Sequence, residues 1–179
     1  MNAHSSPARV TPAAPSEPSA AALAFRGAMR KLAGAVSVLT VGAGESRTGL
    51  TATSVSSLSV EPPTLLICVN RSSSSMAALT AHRSFAINVL RPHHQPLADQ
   101  FAGKGGLKGP ERYQGAEWTR LETGTPVLAD ALAAFDCELE EIIERHSHAI
   151  VVGRVLASRV TETAEPLLYW AGAYHNLGA

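Results

Sequence analysis

The sequence predicts a mainly β fold, a small antiparallel barrel with short helices on its outside. Three observations carry the expectation. About six or seven strand-length runs, apolar or alternating, follow one another along the chain. The links between them are mostly short. Strands and helices do not alternate regularly, as a doubly wound parallel sheet would require.

Residues 1–19 hold Pro7, Pro12, Pro15 and Pro18 among Ala and Ser, with one Arg and no apolar core. Such a segment has too little apolar surface to offset its ordering entropy, so it reads as a disordered leader and not as an export signal. The folded domain is expected over 20–179. Phe25, Met29, Leu32 and Ala33 recur at i, i+4, i+7 and i+8 on one face of an amphipathic helix, with Gly34 placed to end it. Val36, Val38 and Thr40 alternate as a short strand, and an extended Ser/Thr-rich stretch runs through Leu50–Val60 to Pro62-Pro63. Thr64–Val69 is a continuous apolar run suited to a buried strand.

Ser72–Ser75 before Met76–Leu79 read as a serine-capped helix start. Phe85–Leu90 is the next strand, and His94–Phe101 a short helix around Leu97 and Phe101. Gly103–Gly115, with five glycines, three basic residues and Pro110, reads as a mobile loop. Phe135, Cys137 and Leu139 alternate with Asp136, Glu138 and Glu140 as a half-exposed strand. Ala149–Ala157 and Leu167–Tyr174 supply two more strands.

The 179 residues carry 15 Lys+Arg against 15 Asp+Glu, so a nucleic-acid partner, which needs a basic surface, is not expected. Nor is a membrane partner, because no apolar stretch approaches the ~20 residues of a spanning helix. A cytoplasmic location is the corresponding expectation. Cys68 and Cys137 fit neither a zinc spacing nor a disulfide framework and read as small buried hydrophobes.

Four features carry candidate chemistry. The cluster Gly103–Pro110 lacks the spacing of a nucleotide-binding glycine turn and reads as a flexible loop whose lysines can still reach an anion. His146 and His148, at i and i+2, suit one of three roles: two ligands of a metal site lacking a recognisable third, a positioned His148 at a strand mouth, or surface turn histidines. Asn70-Arg71 and Ser72–Ser75 lie between a buried strand and a helix start, where free N–H groups and the helix dipole favour a phosphate; an ordinary over-capped helix fits equally. Thr48–Ser59 is small and hydroxylated, so either a flat ligand lies close to its backbone or it is a polar exposed strand. A region for a ring beside a region for a phosphate is what flavin mononucleotide requires.

Taken in order, Gly49–Ser54 with Ser57-Leu58-Ser59, Glu61-Pro62-Pro63, Asn70–Ser75, Phe85–Leu90, His148 with Gly153, Pro166–Tyr169 and Gly172–Tyr174 resemble the flavin reductase-like, FMN-binding split-barrel family over about residues 22–178. That family includes the small reductase components of two-component flavin-dependent monooxygenases. The resemblance implies a six-stranded antiparallel split barrel with short peripheral helices, assembled as a homodimer with flavin near the subunit interface. It also implies reduction of FMN or FAD by NADH or NADPH and supply of reduced flavin to a partner monooxygenase.

Carried onto these positions, the resemblance sets Thr51, Ala52, Thr53 and Ser54 along the isoalloxazine, with Ser57 further along the same stretch. Asn70, Ser73 and Ser75 approach the phosphate or ribityl chain. Phe101 and the following loop close over the flavin, with Lys104 a phosphate contact; His148 lies at the nicotinamide, and Tyr174 beside it. Where the family has Gly-Asp-His this chain has His146-Ser147-His148, so the histidine loses a carboxylate partner, and the loop Gly103–Gly115 is longer than usual. A flavin-binding carrier or sensor without turnover is the alternative reading, and a metal-dependent hydrolase around His146 and His148 a third.

Overall fold

The computed structural model describes residues 17–162 and 164–177, so the leader expected over 1–19 lies, through residue 16, outside the described residues. Helix α1 (Ala20–Met29) is followed by strands β1 (Gly34–Ala35), β2 (Ser37–Val41), β3 (Thr48–Ala52), β4 (Ser56–Val60) and β5 (Pro63–Asn70). Next come α2 (Ser74–His82), β6 (Ser84–Val89), α3 (Gln95–Phe101), β7 (Trp118–Arg120) and β8 (Pro126–Leu128). The chain continues through β9 (Ala133–Arg145), β10 (His148–Val160), β11 (Leu168–Trp170) and β12 (Ala173–His175). The mainly β expectation holds, with a central antiparallel sheet of seven strands in the order β3-β2-β6-β9-β10-β5-β4.

That order contains its own proof of curvature. β3 and β4 are the two edges of the sheet yet are consecutive in the chain, joined only by Thr53–Val55. A flat sheet with about 4.8 Å between strands would hold its edges about 29 Å apart. The four Cα steps from Ala52 to Ser56 reach at most about 14 Å. The sheet therefore rolls until its edges approach, without closing a ladder between them: a split barrel. The Ser54 hydroxyl bridges the seam, donating to the carbonyl of Cys68 on β5 at 3.1 Å and accepting from its N–H at 3.3 Å.

Packing inside the roll explains several local departures from pattern. Gly153 on β10 faces the Phe85 ring, and a Cβ there would stand 2.7 Å from ring carbon Cε1, so glycine leaves the end of the ring its place against the strand. Asn88 is fully buried but satisfied: its amide donates to the Val38 carbonyl at 3.1 Å, and its oxygen accepts from Leu128 N–H at 2.8 Å. Asp136, expected on the exposed face of its strand, is fully buried, because Thr123 offers it a backbone N–H at 2.7 Å and a hydroxyl at 2.5 Å. Those two donors replace the water that a solvated carboxylate would keep.

Other expectations need correction. α1 ends at Met29, leaving Leu32 and Ala33 beyond it, and Gly34 belongs to β1, where the Thr53 side chain leaves little room for a Cβ. The apolar face of α1 is not buried: Phe25 is 67 % exposed. Leu167–Tyr174 is a hairpin and not one strand, since Ala171 and Gly172 both take positive φ and reverse the chain. The glycine-rich loop is anchored, because Arg112 donates to the carbonyls of Leu107 at 3.0 Å and Gly49 at 2.6 Å, while Tyr113 is buried beneath it. Cys68 is exposed, and Cys137 alone is the buried hydrophobe; neither is in a disulfide. Burial pushes the Cys137 thiol up to about 12. A thiol reagent is expected to label Cys68 in the native protein and Cys137 only on unfolding, which mass mapping of labelled peptides would check.

Candidate functional site

The split in the barrel is where the predicted residues gather. β3 is an edge strand, paired only with β2. Its first half is covered, since Tyr113 donates its hydroxyl to the Thr48 carbonyl at 2.6 Å and Arg112 reaches Gly49. The second half and the connector after it, Thr51–Ser54, border two adjoining hollows.

The first, about 300 Å³, brings together Thr51, Ala52, Ser54, Asn70, Ser73 and His148. β5 and β10 are in register with Asn70 opposite His148, so strand pairing sets the histidine beside the serine-rich turn. In that turn the Asn70 side-chain oxygen accepts from the N–H and hydroxyl of Ser72, both at 2.9 Å, which leaves its NH₂ free to point outward. Ser73 caps α2, accepting from Ser75 N–H at 3.2 Å. The mouth of this hollow therefore combines a helix N-terminus, hydroxyls and an open strand edge.

His148 opens β10 and is exposed, its Nδ1 lying 2.9 Å from the Ser147 hydroxyl. Ser147 thus gives the imidazole a neutral hydrogen-bonding partner.

The second hollow, about 600 Å³, shares Thr51 and Ala52 with the first and adds Thr53, Lys104 and Tyr174. Lys104 pairs with Asp99 at 2.8 Å and lies 5.8 Å from the centre of the Tyr174 ring. Burial and a hydrogen bond with Asp99 push the Tyr174 phenol up to about 12, so it stays protonated through the neutral range.

Three predicted residues stand elsewhere. Ser57, on β4, borders a separate apolar hollow with Val60, Phe135 and Val155, because the chain passes to the opposite edge of the sheet after Ser54. Ser75 is fully buried in the first turn of α2, two residues after the cap. Phe101 is also buried, packed edge-on against Tyr113 at 5.1 Å behind β3, so it backs the site and does not cover it.

Sequence reasoning missed Cys68 in the first hollow and Gln95, Tyr169 and Gly172 in the second. The strict alternation Leu66, Cys68, Asn70 placed Cys68 on the same face as Asn70, a signal that its apolar surroundings hid.

A further hollow, about 690 Å³, lies apart from all of these residues and is bordered by His93, His94 and Asp130. Their ligand atoms lie within 4.8 Å of one another, close enough to share a metal. Hydrogen bonding argues otherwise. His94 Nδ1 accepts from Arg91 N–H at 3.1 Å, which puts its proton on Nε2, donating to Asp130 at 3.0 Å. A metal on Nε2 would move that proton to Nδ1, against the Arg91 N–H. His146 and His148, the sequence candidates, acquire no third ligand among the described residues.

Burial holds the His94 pKa below its usual value of 6.5, with Asp130 opposing that fall. Partial burial raises Asp130, but the hydrogen bond from His93 and the His94 charge outweigh it and leave it low. Both groups are depressed, so both stabilise the fold above their ordinary pKa values and lose that contribution as pH falls through the folded ones. His94→Gln is expected to lower Tm at neutral pH and flatten the loss of stability that begins below pH 6.5. Scanning calorimetry across that range checks it, and an unchanged slope would reject the assignment.

Comparison with known proteins settles the family. The flavin reductase like domain family matches residues 29–178, most of the chain. The protein belongs to the flavin reductase-like family. It is 44 % identical over 163 residues to "FMN reductase (NADH) RutF 2" of Methylorubrum extorquens, covering 90 % of this chain and 93 % of that one. It superposes on BorF, the flavin reductase component of a bacterial two-component tryptophan halogenase, with a TM-score of 0.80 and 32 % identity over 87 % of this chain and 97 % of BorF. It also superposes on the Streptomyces globisporus NADH:FAD oxidoreductase SgcE6, solved with NAD and FAD fragments, with a TM-score of 0.77 and 29 % identity over 86 % and 90 % of the two chains.

Proposed function

We propose that this flavin reductase-like chain is an NAD(P)H-dependent flavin reductase, acting on FMN or FAD and folded as one domain over 20–179. The observation that carries the reading is the meeting, on one hollow, of the open β3 edge, the capped start of α2 and His148. The donor set fits a flavin nucleotide: small side chains at Thr51–Ser54 let a flat ring lie against backbone groups, while the Asn70 amide and the Ser73 turn suit a phosphate or ribityl chain. Bound flavin supplies N5 as acceptor of the hydride from nicotinamide C4.

What the protein contributes is position. The β3 edge would hold one ring and His148 the other against it, so that binding alone would orient the two for transfer. Ser147 steers the imidazole from Nδ1, leaving Nε2 for the nicotinamide carboxamide. Tyr174, kept neutral, closes the side of the second hollow, and Lys104 stands over it as a candidate phosphate contact.

The test is NADH and NADPH oxidation with and without FMN, FAD or riboflavin. Flavin-dependent turnover is expected, whereas tight FMN binding without turnover would reduce the protein to a carrier or sensor. His148→Ala is expected to raise the KM for NADH about 3- to 10-fold, the worth of one lost hydrogen bond, with FMN affinity unchanged. Unaltered kinetics would remove His148 from the site.

The proposal extends to a homodimer that passes reduced flavin to a separate monooxygenase in the cytoplasm. Val60, Val160, Leu58 and Leu156 leave an apolar face exposed along β4 and β10, which supports pairing of two copies. Light scattering would report a dimer mass or refute it.

A further inference from the structure

Every residue of α1 is exposed, yet one side of the helix is not idle. Arg26 and Arg30, one turn apart, border a hollow of about 410 Å³ closed on the other side by Thr53 and the β11–β12 turn. Thr53, Tyr169 and Gly172 also line the 600 Å³ hollow, which reaches the His148 hollow through Thr51 and Ala52. One trough thus runs from His148 to Arg30.

Among the described residues neither guanidinium is paired with a carboxylate or donates a hydrogen bond. Arginines are always charged and present a planar fork of donors that matches phosphate oxygens. The carbonyls at the end of a helix would repel an anion, but here two are occupied. The Arg30 carbonyl accepts from Ala171 N–H at 3.1 Å, and the Lys31 carbonyl from the Trp170 indole at 3.2 Å.

Gly172 adds a separate observation. Its φ of 93° suits glycine, and the nearest heavy atoms to a Cβ built there belong to the Arg30 guanidinium, so the turn backbone runs directly against that side chain. Tyr169, 40 % exposed and braced edge-on by Tyr174 at 5.4 Å, offers an aromatic face on the same wall. The one other cation in the trough, Lys104, is paired with Asp99, whereas among the described residues the two arginines are not paired.

We infer that Arg26 and Arg30 form a subsite for the adenylate end of a dinucleotide, with the guanidiniums on the diphosphate and Tyr169 beside the adenine. The inference rests on the reading of the Thr51–His148 hollow as the place of the two reacting rings. NADH and FAD both carry such an end, and FMN does not.

Calorimetric titration with ADP-ribose tests it directly on the wild type, Arg26→Gln and Arg30→Gln. Binding to the wild type is expected, weakened about tenfold or more by each substitution, while FMN binds all three proteins alike. A rise in the KM for NADH with FAD affinity unchanged would assign the subsite to the nicotinamide coenzyme, and the converse to FAD. No ADP-ribose binding, or equal binding by all three proteins, would overturn the inference. A wild type that binds ADP-ribose through the arginines but shows no flavin-dependent turnover would sink the reductase reading and leave the subsite standing.

Discussion

Phe101→Ala is expected to cost about 3–5 kcal/mol of unfolding free energy, the range for truncating a fully buried aromatic. The ring is 1 % exposed, sits edge-on to Tyr113 at 5.1 Å and tilts against Trp118 at 5.9 Å, in a core cluster that includes Val36, Leu90 and Leu128. Nothing small is at hand to fill the space, because the Tyr113 hydroxyl is tied to the Thr48 carbonyl and the Trp118 indole to the Tyr113 carbonyl. Urea unfolding would show a lower midpoint at unchanged m. The flavin-covering role implied by resemblance makes the opposite forecast, a large loss of FMN affinity at nearly unchanged stability. Measuring both quantities on the one variant decides between them.

Gly49→Ala is the second large effect, at about 1–3 kcal/mol with a parallel loss of FMN affinity. A Cβ at this position would collide with the Leu39 carbonyl oxygen on β2 and stand 2.6 Å from Cε1 of Phe101. The ring can tilt; the carbonyl is held in the β2–β3 ladder, where Gly49 faces Thr40. Strain must therefore move β3 itself, and Thr51–Ser54 move with it. Adding Phe101→Leu should restore part of the stability, the share due to the ring. Full restoration would mean that the backbone contact is harmless. A stable Gly49→Ala variant with intact FMN binding would show that β3 does not position the flavin.

How much of this was legible in the sequence depended on the range of the interactions involved. The start of α2 was readable from the run Ser72–Ser75, of which Ser73 is the cap, because capping is settled within one turn. β5 was readable because its apolar run is continuous, and β10 because its first half is. Resemblance set Asn70 and Ser73 at the phosphate or ribityl chain and His148 at the nicotinamide, and strand register brings all three to one hollow. Asp136 deceived because alternation reports which face a residue occupies and not whether two donors from Thr123 wait there. Phe101 deceived for a similar reason: its neighbour Tyr113 comes from the segment Gly103–Gly115, whose glycines suggested motion, and Arg112 and Tyr113 pin that segment down. Cys68 was taken for a core residue because Ile67 and Val69 are, although one step along a strand reverses the face. The Arg26–Arg30 pair left no local trace, since what matters is the β11–β12 turn that arrives beside it from the other end of the chain.

The seam between β3 and β4 has a dynamic consequence. Among the described residues no ladder joins β3 to β4, and the Ser54 side chain ties their connector to β5, while the interior strands β6, β9 and β10 are bonded on both sides. The barrel thus has a built-in line of weakness, along which it can breathe without global unfolding. A ligand lying on Thr51–Ser54 would act as a stave laid over that crack, and its binding energy would go partly into holding the roll shut. Flavin bound on that stretch would then load and tighten the barrel in one event, and its loss would loosen the same wall.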